Sequence, residues 1–152
     1  MTAPDPAAPT PSGSAAGPAS VEALTRQLDS ITPWVRWWLR AEGFAGFTLG
    51  VLVWCALGGD WIWLLPALFL PDIAMAGYLG GPHMGAIAYN LAHNWFIGGL
   101  VLLIGLWAPV TPLAFAGAIL VAHTGMDRVM GYGLKYPTGF GDTHLGAIGR
   151  RR

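Results

Sequence analysis

Four apolar stretches, each of about 20 residues, follow one another between Trp37 and Tyr132 with only two or three turn residues between them. A water-soluble core absorbs one continuously apolar helix; several in succession have lipid as their natural solvent. Turns this short force each helix to run antiparallel to the one before it. The sequence predicts spans over residues 37–57, 61–79, 83–107 and 110–132, with Gly58, Gly59 and Asp60, then Gly80, Gly81 and Pro82, then Ala108 and Pro109 as the turns. Pro66 and Pro71 predict a kink just before Asp72, where carbonyls released from the helix need another partner. The composition agrees, since 54% hydrophobic against 11% charged lies far from an ordinary soluble domain.

The flanks differ in kind. Residues 1–20 are nearly all Ala, Pro, Ser, Thr and Gly and read as a disordered tail without a secretory signal. Residues 21–36 suit a short amphipathic segment on the membrane surface, with Trp34, Trp37 and Trp38 beside Arg36 and Arg40 as an interfacial anchor. Residues 37–132 form the bundle and 133–152 a glycine-rich tail. The expected fold is all-α, a four-helix transmembrane bundle with an interfacial helix before it and a glycine-rich tail after it. All 8 basic residues precede or open the first span or close and follow the last. The positive-inside bias then puts both termini in the cytoplasm of a multi-pass inner-membrane protein.

Charge and cysteine content remove other classes. Zero formal net charge leaves no basic field for nucleic acid. Cys55, the single cysteine, excludes an intrachain disulfide and any multi-cysteine metal site. The expected partners are membrane lipid and a second copy or another membrane protein.

Polar residues gather in the cytoplasmic half. Reflecting antiparallel helices through their turns at roughly 1.5 Å per residue brings Asp72, Asn90 and Asp127 to one layer and His93 and His123 to a second, about 5 Å deeper. Asn90, His93 and Asn94 share one helical face, His123 and Asp127 another, and Glu42 lies about two turns nearer the cytoplasm. Acids and histidines at this depth are costly against lipid, so these faces point inward. A structural polar core would look similar: Asp127 can pair with His123, and Glu42 with Arg128 or Arg40. Gly43, Gly46 and Gly50 read as a close helix contact. In the tail, Tyr132, Leu134, Tyr136, Phe140 and Leu145 interleave with glycines, which suits a segment folded back on the bundle mouth. There Lys135, Thr138 and Thr143 can hold an anion such as a lipid phosphate, and His144 can approach the buried acids.

The motifs PDIAMAGYLGGP, GAIAYNLAHN and AHTGMDRVMGYGLKYPTGFGDTHLG occur in order. Together they resemble a family of small bacterial membrane proteins known as a domain of unknown function, DUF4260, over roughly residues 37–149. The resemblance implies a four-helix membrane fold with a signature of Asp72, Tyr78, Asn90, His93, His123, Asp127, Arg128, Lys135, Thr143 and His144. It implies no activity.

Three function classes fit these residues. In the first, Asp72, His93, His123 and Asp127 give two nitrogen and two oxygen ligands for zinc, iron or manganese. With one position open the metal would activate water for hydrolysis, Asp127 serving as ligand or base and Lys135 with the tail binding a lipid phosphate. Asn90, Asn94, Arg128, Thr143, His144 and Glu42 would support that site. In the second, the two histidines hold a b-type haem. In the third, a non-catalytic membrane protein or complex subunit uses the polar core to fix helix register.

Overall fold

The computed structural model describes residues 33–148. The expected disordered tail, and the interfacial segment up to residue 32, lie outside the described residues. Pro33 to Arg36 open the first helix.

Among the described residues the chain is all-helical: α1 (Pro33–Ala56), α2 (Trp61–Leu68), a 3-10 helix (Leu70–Gly80), α3 (Pro82–Ala92), α4 (Trp95–Trp107) and α5 (Thr111–Met130). Pro33–Ala56, Trp61–Gly80 and Thr111–Met130 are each long and apolar enough to cross a membrane. The pair Pro82–Ala92 and Trp95–Trp107, bent by 44° at its break, makes a fourth crossing when taken as one broken span. Large apolar side chains such as Ile62, Leu65, Ile73, Phe96 and Leu103 stay exposed on these helices, as side chains that face lipid rather than water would.

Helix α5 is the most buried element, with α1 and α4 packed against it. Trp54, Leu64, Leu68, Ile119 and Ala122 form one apolar cluster, and Leu102, Ala118 and Val121 another. Two of the three glycines of α1 set the approach to α5. A Cβ on Gly43 would meet the Gly125 carbonyl at 2.9 Å, and one on Gly50 the Ala118 carbonyl at 2.5 Å. Gly46 instead leaves room for the indole of Trp95.

The second and third apolar stretches are both interrupted. Pro66 and Pro71 carry no N–H, so α2 stops at Leu68 and the chain continues as a 3-10 helix with Asp72 N–H donating to the Phe69 carbonyl at 3.2 Å. That leaves the Leu68 carbonyl available to a side chain. The third span, expected to be continuous, breaks at His93 and Asn94. Asn94 caps α4, its side-chain oxygen accepting from the N–H groups of Phe96 at 2.8 Å and Ile97 at 3.4 Å. An Asn that collects these amides stabilises a new helix start by about 1 kcal/mol, so it competes well with continuation. Asn94 is therefore a cap rather than a third member of the polar face with Asn90 and His93.

Candidate metal centre

The two breaks orient the two histidines. His123, fully buried on α5, donates from Nδ1 to the Leu68 carbonyl at 2.5 Å. His93, fully buried at the end of α3, donates from Nδ1 to the Tyr89 carbonyl at 2.8 Å. A carbonyl can only accept, so each ring carries a proton on Nδ1, and both Nε2 atoms face inward. Those two nitrogens stand 2.8 Å apart. The Oδ1 atom of Asp72 lies 3.4 Å from Nε2 of His93 and 3.5 Å from that of His123. Asp72, His93 and His123 thus form a group able to hold a metal ion. A tetrahedral zinc with bonds of about 2.05 Å keeps its donor atoms roughly 3.3 Å apart, and the three edges bracket that value.

Asp127 stands just beyond. Its oxygens are 3.8 Å from Nε2 of His93 and 3.9 Å from that of His123, and Oδ2 accepts from the Tyr89 hydroxyl at 2.6 Å. Tyr89 also stacks on the His93 ring, with centroids 3.7 Å apart and planes at 11°. One tyrosine therefore positions a histidine through its carbonyl and ring face and a carboxylate through its phenol. The i, i+4 spacing of Tyr89 and His93 on one helix was the available sequence signal for this role.

Asp72 does not share a layer with Asn90 apart from the histidines; it joins the histidines. A 3-10 helix rises roughly 2.0 Å per residue against about 1.5 Å for an α-helix, and from Gly80 back to Asp72 the difference adds up to about 4 Å, close to one layer. Asn90 serves the tail instead: its Nδ2 donates to the Lys135 carbonyl at 2.9 Å and its Oδ1 accepts from the Lys135 N–H at 2.7 Å.

The tail folds over α3 and the 3-10 helix. Lys135 and Thr143 form an antiparallel bridge, and Phe140 meets Tyr78 edge to face at 5.2 Å. The Lys135 ammonium is buried, donates to the Phe140 carbonyl at 2.7 Å, and lies 5.0 Å from the Tyr89 ring centroid and 4.0 Å from that of Phe140. Burial lowers its pKa from the usual lysine value, and the nearby Asp127 charge partly restores it. Thr143 closes a local turn, its hydroxyl donating to the Gly146 carbonyl at 2.7 Å, and Thr138 donates to Asp142 at 2.8 Å. These hydroxyls are engaged within the tail.

Arg128 ties tail and break together, donating to the carbonyls of Tyr132 at 2.6 Å and His93 at 3.2 Å. His144 does not approach the buried acids. It is exposed, and its Nδ1 accepts from the Leu134 N–H at 2.8 Å. Partial desolvation first, and then the Arg128 charge, lower its pKa. Glu42 is exposed on α1 and takes no part in the metal-capable group.

Neither the curated proteins nor the solved structures contain a significant match to this chain. Residues 36–148, which hold every side chain of the centre, match the family described as "Domain of unknown function (DUF4260)". The chain belongs to the DUF4260 family.

Proposed function

We propose that this chain is a four-span membrane protein that binds a divalent metal through Asp72, His93 and His123, with Asp127 beside the ion as fourth ligand or as the acceptor of a proton from water. One observation carries the reading. Two imidazoles, each committed through Nδ1 to a carbonyl, bring their Nε2 atoms within 2.8 Å of each other with a carboxylate oxygen alongside. Two neutral rings would turn lone pairs on each other at this distance, and a metal would convert that repulsion into coordination. Two nitrogens and one or two oxygens suit zinc, iron or manganese. The broken spans support the reading too, because the freed Leu68 carbonyl supplies the outer partner that a metal-bound histidine needs.

In the membrane orientation proposed here both termini are cytoplasmic, as the placement of the 8 basic residues favours. Hydrolysis of a lipid or related substrate is the chemistry such a centre would support, a metal lowering the pKa of bound water and Asp127 receiving the proton. Lys135 is assigned to tail anchorage rather than to phosphate binding, since its ammonium is engaged by Phe140 and two aromatic rings. A b-type haem needs its two axial nitrogens about 4 Å apart on opposite sides of the iron with a porphyrin between them. The 2.8 Å separation and the nearby Asp72 leave no such slot.

The same 2.8 Å is a hydrogen-bond length, which favours one second reading: a single proton shared by the two imidazoles in a structural core. Elemental analysis of detergent-purified wild type and of His93→Leu separates the two. Near-stoichiometric metal in wild type alone supports the centre; metal-free wild type with the fold intact refutes it.

A further inference from the structure

A 3-10 helix has three residues per turn, so its side chains fall into three rows. Pro71, Ala74 and Gly77 make one row, and at its end a Cβ on Gly77 would meet that of Ala88 on α3 at 2.7 Å. Leu70, Ile73, Ala76 and Leu79 make an exposed row. Asp72, Met75 and Tyr78 are half-buried and lie on the border between the two. The result is asymmetric exposure of the centre: the Asp72 side chain is 32% exposed, against 0% for His93, 1% for His123 and 6% for Asp127.

Asp72 sits near the middle of the apolar stretch Trp61–Gly80, flanked by exposed Phe69, Leu70 and Ile73. At the other approach the tail is strapped to Asn90 and packed on Tyr78 and Tyr89. The centre therefore opens sideways at mid-span, where a carboxylate facing hydrocarbon alone is costly. We propose that this flank is a lateral window, through which a membrane-dissolved molecule with an apolar chain and an oxygen-donor head, such as a carboxylate, reaches the metal. The inference rests on the metal reading and names its ligand class. A symmetric second copy is the poorer occupant, because a two-fold contact centred here sets Asp72 against Asp72 in a low dielectric.

The test uses the full chain in phosphatidylcholine vesicles, with carboxyl labelling read by peptide mass spectrometry. Lipid-soluble dicyclohexylcarbodiimide should label Asp72 of metal-free protein faster than a water-soluble carbodiimide does, on the order of tenfold or more. The exposed Glu42 and Asp60 should show the reverse preference. Saturating zinc should suppress labelling of Asp72. With cobalt-loaded protein, dodecanohydroxamic acid should shift the visible bands where acetohydroxamic acid at equal bilayer concentration does not. Water-soluble labelling of Asp72 at the rate of Glu42 would mean an aqueous opening and overturn the window. Absence of labelling by either reagent would overturn it as well, by showing the flank covered. Lipid-soluble labelling that zinc does not suppress would instead sink the metal reading and leave the window standing.

Discussion

Tyr89→Phe is the substitution that most sharply tests how the centre is built. It removes one atom group, the hydroxyl that donates to Asp127 at 2.6 Å, while a phenylalanine ring keeps the 3.7 Å stack on His93 and the backbone carbonyl still accepts from His93 Nδ1. Hydrogen bonds to charged groups contribute about 1.5–3 kcal/mol. Loss of an outer partner typically weakens metal sites by roughly 10–100-fold, which at about 1.4 kcal/mol per tenfold is about 1.4–2.8 kcal/mol. The two scales agree. The variant is therefore expected to bind zinc about 10–100-fold more weakly than wild type. Competition against a colorimetric chelator in detergent measures this, and Asp127→Asn should lose at least as much. Thermal unfolding of the metal-free proteins checks that the fold persists. Zinc affinity in Tyr89→Phe within about twofold of wild type, with both proteins loading metal, would refute the placement of Asp127 beside the ion.

Other expectations address the frame and the tail. Reporter fusions at Gly59 and at the carboxyl end should report opposite compartments; the same compartment at both would contradict four spans. The double variant His93→Leu/His123→Leu should remain a monodisperse, helical bundle and lose all metal, since an apolar exchange of both partners preserves packing; full metal occupancy would remove both histidines from the ligand set. Asn90→Ala deletes both hydrogen bonds to the Lys135 backbone, together about 2 kcal/mol, so amide exchange in the tail should accelerate by roughly 30-fold. His144 has its pKa lowered in the fold by burial and by Arg128, so the folded tail prefers the neutral ring. Its contribution is complete above the ordinary imidazole value near 6.5 and is lost as pH falls through the lowered folded value. Exchange in the tail should therefore rise on acidification in wild type, and less so in His144→Asn.

Much of the centre was legible because it follows from spacing. His93 and His123 meet because short turns force antiparallel helices and each lies at a similar distance from the Ala108 turn. The kink before Asp72 and its need for a new carbonyl partner follow from two prolines, and His123 is that partner. Tyr89 was present as a neighbour in the sequence, but its role depends on a ring stack and a 2.6 Å contact between residues 38 positions apart. Asn94 misled because helical periodicity assigns it a face, whereas a side chain that caps its own backbone ends the periodicity.

The sequence by itself determined the membrane-compatible, all-helical character, the antiparallel order and the set of polar residues left without lipid-compatible surroundings. These rest on hydropathy, turn length and backbone chemistry, which are local. Only the tertiary structure decided which of those residues share a centre. Membership turns on the larger rise of a 3-10 helix, which carries Asp72 past Asn90 to the histidines, and on a break after His93, which frees its carbonyl for Arg128. Differences of a few ångströms in rise and register separate a ligand from a bystander, and they are fixed by packing between elements far apart in the chain.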